Sequence, residues 1–516
     1  MNASAGISEP KESKEHIAVL LLCLAGAIHV FIFSAAFPVF NQVDEGCHFD
    51  LVVRYSHGDL PRGLPPMGRD ASPYLLTYAS PEYKGLATSF ADGCFPKPPW
   101  LQTSLSQTAW REAAFEKAST NWDITSKLPF WTNYQTSQPP LYYALAGLWW
   151  RTGQTLGLAG LPLVYWLRFL NALFVAVLVW IGHRAAREIF PEDKLYTMGI
   201  PALIAFLPVQ AFYSIQNDVL SPVCFGIAFI LLLRLWRAET PGIRLCIGLG
   251  LALAATYLTK LTNVPLLAVA GIFIALKIFQ LAKKGALRGS LPALSSLFAC
   301  VALPIVAWLA WMKMAFGDFT GSAAKLHFIT WTPKPFNEWW HHPIFTPYGL
   351  WTFISELAYS FWQGSEIHWH ANLLDLPAAD TIYVILTLSF LIFALLNLAT
   401  RRTQITDFQR LALGFSLGCL AAGAAFLAWL SIIYDFGLCI DPSREHPYLA
   451  EGRLILGTMI PGLLLYLYGL NYLLRGAKNS WVKPAVLTAI ILFMLISEIV
   501  MDWTVFASQY NWYHLP

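Results

Sequence analysis

The sequence predicts an all-α polytopic membrane protein. Three observations carry that prediction: 56% of the 516 residues are hydrophobic, only 13% are charged, and apolar windows of about 20 residues recur along the chain. Soluble chains carry about 25% charged residues, and neither Gly nor Pro shows a period, so soluble, disordered and collagen-like classes are excluded. Eight Cys in this length is ordinary and marks no disulfide scaffold. The net charge of +3, with no basic run, points to no nucleic-acid partner.

The first apolar run, Ile17 to Phe37, follows a mixed-charge stretch and is interrupted only by His29. It exceeds the core of a signal peptide and is read as an anchored span; Ser34 and Ala36 imitate a cleavage site, which keeps a cleaved signal as the alternative. Further windows fall at 163–183, 196–214, 219–236, 243–260, 264–281, 292–313, 380–399, 411–433, 454–474 and 485–506, giving about eleven transmembrane helices in a single integral domain over 1–516.

Orientation follows from Lys and Arg. With a cytoplasmic N-terminus, the cytoplasmic segments collect 18 basic and 8 acidic residues, leaving 16 basic and 23 acidic residues elsewhere. That asymmetry satisfies the positive-inside rule and turns the acidic surplus outward. Two outward loops are too long for connectors. Residues 41–162 hold helix-like pieces at 44–57, 103–118 and 140–152, and residues 314–379 are dense in Trp and His.

Just beyond the first span lie Asp44, Glu45 and His48. On a short helix Asp44 and His48 share a face, with Glu45 about a quarter-turn away. A partly desolvated carboxylate beside a His suits proton acceptance from a hydroxyl; acids placed favourably at a helix start explain the same residues. Gln138-Pro139-Pro140-Leu141-Tyr142-Tyr143 opens the last helical piece of that loop and also reads as a plain interfacial cap. Asn217-Asp218 occupies a tight turn, a common backbone choice that also offers an acid to a cation, a sugar hydroxyl or a basic partner. Lys260 either snorkels or holds a phosphate at the membrane surface. Arg453, after Glu451-Gly452, offers paired donors to a phosphate or pairs with a neighbouring acid. Arg168, inside the second span, is a functional candidate with a structural partner as the main alternative, and it and Arg444 are reserves for the phosphate.

The His-rich loop, with His341-His342 and Glu366-Ile367-His368-Trp369-His370, matches no closed metal site, so no metal or other cofactor is assigned, although divalent-metal dependence stays open. Cys47, Cys94 and Cys439 face outward, where a Cys47–Cys94 bridge fits an oxidising compartment.

These pieces together resemble the GT-C superfamily of membrane glycosyltransferases, in the branch of protein O-mannosyltransferases and lipid A aminoarabinose transferases. The resemblance rests on the order and sidedness of Asp44-Glu45, the Gln138–Tyr143 string, Asn217-Asp218, Lys260 and Glu451-Gly452-Arg453. It implies a sugar donor on a polyprenyl phosphate, Asp44 as catalytic base with Glu45 supporting it, and Asp218 as a second acidic member of the site. The acceptor is a lipid, a glycan or a protein, and His48, Gln138, Tyr142, Asn217, Asp218, Lys260 and Arg453 are the residues expected to bind substrate, with no phosphate contact carried over to Gln138. The aminoarabinose branch has Lys where this chain has Gln138, and many bacterial relatives have Gln where it has Glu451. The expected place is the bacterial inner membrane with a periplasmic site. A transporter or flippase for a lipid-linked sugar is the alternative, and a metal-dependent hydrolase a third; the lack of matched halves argues against transport.

Overall fold

A computed structural model describes residues 10–41, 43–80, 82, 98–128, 131–364, 367–370, 372–400, 405–439 and 441–511. The helices in chain order are α1 (Pro10–Ala36), α2 (Glu45–Ser56), α3 (Ser72–Tyr78), α4 (Gln107–Thr120), α5 (Trp122–Thr125), α6 (Leu141–Thr155), α7 (Gly160–Ile189), α8 (Lys194–Ala205) and α9 (Leu220–Arg237). They continue with α10 (Ile243–Thr259), α11 (Val264–Lys283), α12 (Leu287–Phe316), α13 (Ser322–Phe328), α14 (Pro347–Gln363), α15 (Pro377–Thr400), α16 (Asp407–Ile433), α17 (Met459–Leu473) and α18 (Val482–Phe506). Two short antiparallel pairings complete the fold: β1 (Thr332–Pro333) with β4 (Tyr434–Asp435), and β2 (Ile367–Trp369) with β3 (Asn372–Leu374). The loop helices predicted in 41–162 form as α2, α4 and α6.

Among the described residues nine helical segments are long and apolar enough to cross a membrane. The two others expected to span differ. α10 is apolar but only 17 residues long. The window 196–214 is not one helix. α8 stops at Ala205, and the chain runs through Leu207-Pro208-Val209 and two single-turn 3-10 segments before α9 begins. Pro208 lacks the N–H that the next turn would use and restrains the residue before it, so the apolar pattern persists where the helix cannot. The exposed backbone finds partners: Asn171 of α7 donates to Phe212 O (3.1 Å) and Ser214 O (2.6 Å). Irregular backbone at membrane depth needs this enclosure by protein.

α17, α9 and α7 form the interior, and α7 packs against α1, α6, α8 and α9. Around them α1, α11, α12, α15 and α18 expose apolar side chains such as Leu20, Leu24, Leu303, Ile392 and Ile496, as a lipid-facing surface should. Close backbone approach uses small residues: a Cβ on Gly469 of α17 would collide with Phe390 O of α15.

Candidate functional site

The site forms where loop 41–162, the 206–219 strip, the α10–α11 turn, α13 and the chain before α17 meet. Its centre is Asp44. This residue caps α2 with φ 64°, a left-handed conformation uncommon for a residue with a Cβ, and its side chain makes no capping bond. The carboxylate turns into the loop instead. Oδ1 accepts from Tyr134 Oη, Oδ2 accepts from Gln135 Nε2 at 2.8 Å, and Arg453 Nη2 lies 4.0 Å from Oδ2. The helix-start reading of Asp44 is therefore not the geometry adopted.

From Asp44 a run of amides leads across the site. Gln135 Oε1 accepts from Gln138 Nε2 (2.8 Å) and from Lys325 Nζ (2.8 Å); Gln138 Oε1 accepts from Asn217 Nδ2 (3.3 Å), which also donates to Thr259 O (2.9 Å). Acceptors at both ends, a carboxylate and a carbonyl, fix the direction of every amide between them. Next in sequence, Asp218 pairs with Lys260. Arg453 donates from Nε to Glu451. Its backbone is pinned to α14 by Arg453 N to Gly364 O (3.0 Å) and by Ser360 Oγ, which binds Ala450 O and Gly452 N. Gly452 leaves no room for a Cβ against the Phe361 backbone. Gly452→Ala is expected to lift the 450–453 segment off α14 and displace Arg453, read as a lowered melting temperature with the helical content retained.

His48 stacks on Tyr143, with Nδ1 2.6 Å from Tyr143 Oη. Burial pushes its imidazole down to about 4 against the pull of Asp44 and Asp218, so it is neutral at physiological pH. For Asp44 burial raises the carboxyl, but Arg453, Lys325, His48 and the Tyr134 bond outweigh it and hold it at about 2. The stability this contributes is present above the ordinary carboxylate range and is lost as pH falls through about 2. Asp44→Asn should therefore remove roughly 2 kcal/mol of the acid-induced loss between pH 5 and pH 2, measured by thermal unfolding in detergent.

The structure corrects Glu45. Its carboxylate leaves the site and receives Arg168 Nε and Nη2 at 2.7 Å each, plus Ile215 N at 3.0 Å. Arg168, wholly buried, also donates to Ser34 O, Phe37 O and Pro38 O. The two successive acids diverge because Asp44 stands in the left-handed cap conformation while Glu45 opens the helical α2; Glu45 is a strut holding α1, α2, α7 and the strip together, and Arg168 is no free phosphate ligand. Arg444 is also elsewhere: it pairs with Asp435 at 2.7 Å and lines a separate 320 Å³ pocket with Lys334, Glu338, His341 and His342. Tyr142 is buried in α6, with Glu45 and Asp218 as neighbours.

Sequence reasoning missed Tyr134, Gln135 and Lys325. Lys325 sits on α13 within 314–379, with no motif to mark it. Among the described residues no group of three or more His, Cys, Asp or Glu could hold a metal ion. His342 is occupied by Ile344 N and Pro447 O, and His370 by Glu82. Glu366, the His368 side chain and Cys94, and with it the Cys47–Cys94 pairing, lie outside the described residues.

Residues 26–435 match the family described as "Predicted membrane protein (DUF2142)". The chain belongs to the DUF2142 family. As a DUF2142 protein with nine such apolar helices, it is an integral membrane protein. No curated protein matches it. Among solved structures it is similar to the Archaeoglobus fulgidus oligosaccharyltransferase in the apo form, with TM-score 0.45, 11% identity, and coverage of 96% of this chain and 56% of that one. The archaeal oligosaccharyltransferase AglB from the same organism, in complex with an inhibitory peptide and a dolichol-phosphate, matches with TM-score 0.40 and 11% identity over 98% and 57%. The DUF2142 chain thus spans little more than half the length of these proteins.

Proposed function

We propose that this protein is a GT-C-type glycosyltransferase that moves a sugar from a polyprenyl-phosphate donor to an acceptor hydroxyl on the extracytoplasmic side. The observation that carries the reading is the convergence of Asp44, Asp218, Lys260, Lys325 and Arg453, distant in sequence, on one site. The Lys and Arg count supports the outward side, and a bacterial inner membrane is the expected setting.

In this reading the acceptor oxygen attacks the anomeric carbon, the bond from that carbon to the phosphate oxygen breaks, and the acceptor proton passes to Asp44. Departure leaves an added negative charge on polyprenyl phosphate, met by Arg453, Lys325 and Lys260. A carboxyl held near 2 is a weak base in the empty site. A phosphate seated on Arg453 and Lys325 offsets the pull that holds it there, so donor binding itself makes Asp44 more basic. Attack opposite the leaving group inverts the anomeric centre.

A 220 Å³ apolar cavity supports a lipid-linked donor. It lies among α14–α17, lined by Phe353, Leu357, Phe361, Leu391, Leu420 and Ile455, and Ile455 follows Arg453 by two residues. In this reading the phosphate sits at Arg453 and the isoprenoid occupies the cavity that begins two residues further along the chain. Ala421 of α16 also lines the cavity, and Ala421→Trp, which narrows it, should weaken donor use at least tenfold and leave a short-chain phosphate analogue unaffected.

The deciding experiment gives purified protein a labelled polyprenyl-phosphate sugar and a mixture of lipid and glycan acceptors. Label on an acceptor supports the proposal. Free sugar would make the protein a hydrolase, and unchanged donor moved between leaflets of a vesicle would make it a transporter.

A further inference from the structure

α18 carries two carboxylates one turn apart inside the bundle, Glu498 (1% exposed) and Asp502 (0%), and the transfer chemistry uses neither. Glu498 is fully engaged. Its Oε2 lies 3.0 Å from His29 Nε2, and its Oε1 accepts from Tyr213 Oη. His29 Nδ1 lies 3.2 Å from Ala205 O. A carbonyl only accepts, so Nδ1 carries a hydrogen, and the His29–Glu498 pair shares one further proton. Imidazolium with carboxylate and imidazole with carboxylic acid are both neutral as a unit.

Asp502 has no such partner. Gln210 Nε2 is 3.5 Å from its Oδ1, while Asp502 Oδ2 and Gln210 Oε1, both buried, make no hydrogen bond. Among the described residues the titratable groups around the two carboxylates are His29 of α1, Tyr213 of the 206–219 strip and Tyr383 of α15, and the base among them, His29, is already taken by Glu498. An ionised Asp502 would be an uncompensated charge in the protein interior, which is costly. A dehydrated metal ion wants more oxygens than two free atoms provide.

We propose that Asp502 and Gln210 form an intramembrane proton-binding site, in which Asp502 holds the proton on one carboxylate oxygen and donates it to Gln210 Oε1. Turning the Gln210 amide over, a choice fixed only by its hydrogen bonds, brings that oxygen to the acid. The site lies just under loop 41–162: past Phe506 the chain binds Glu82 through Ser508 and Ala36 O through Asn511. Gln210 opens the first 3-10 turn of the strip whose far end carries Asn217 and Asp218, so the bound proton ties α18 to the segment that holds the site acid.

Infrared spectroscopy of the full chain in lipid tests it. At neutral pH the wild type should show a carboxylic-acid carbonyl stretch, sensitive to deuteration, that is absent from Asp502→Asn. Gln210→Leu should move that band to higher frequency by removing its acceptor, which keeps the test open if Asp502→Asn does not fold. Identical spectra for wild type and Asp502→Asn, or a band unmoved by Gln210→Leu, would overturn the proposal. So would a melting temperature raised by sodium chloride over choline chloride in the wild type alone, which would mark a metal-ion site.

Discussion

Asp44→Asn is expected to fold normally and to transfer sugar about 10²–10⁴ times more slowly, the usual contribution of a positioned general base. The substitution is nearly isosteric. Asn can still accept from Tyr134 or Gln135, but its NH2 then faces a donor, and it has no site to receive the acceptor proton. The loss should appear in kcat, because the phosphate contacts through Arg453 and Lys325 remain. Initial rates with labelled donor, alongside a melting curve at neutral pH, provide the check. Full transfer by a folded Asp44→Asn protein would remove Asp44 from the chemistry and leave the cluster as a binding site.

The second large effect concerns stability. Arg168→Leu should cost about 3–5 kcal/mol, because it leaves Glu45 buried and ionised and strips partners from Ser34 O, Phe37 O and Pro38 O. Glu45→Gln with Arg168→Leu should recover part of that loss, since no lone charge then remains. Thermal unfolding of the two single variants and the double variant in detergent measures the coupling. Were Glu45→Gln to keep full stability and lose only transfer, Glu45 would belong to the chemistry after all.

Much of this protein could be read from its residues. Long apolar runs leave little freedom, because a helix is the way a single segment satisfies its backbone in lipid, so α1, α7, α9, α15, α16 and α18 fall where hydropathy puts them. The window at 196–214 misled for the same reason: hydropathy reports the surroundings of side chains and is blind to the missing N–H of Pro208. Asp44, Asp218, Lys260 and Arg453 were legible as charges at helix ends facing one side. Glu45 was not separable from Asp44, since adjacent acids look alike until Arg168 claims one. Tyr134, Gln135 and Lys325 gain their meaning only from contacts 90 to 190 residues away in the chain, which no local pattern encodes.

The break after α8 also dictates an order of biogenesis. Carbonyls of Phe212 and Ser214 depend on Asn171, and the amide of Ile215 depends on Glu45. A nascent 206–219 segment released alone among acyl chains would have none of these. The strip therefore packs stably only once α1 and α7 are in place with α2 docked beside them.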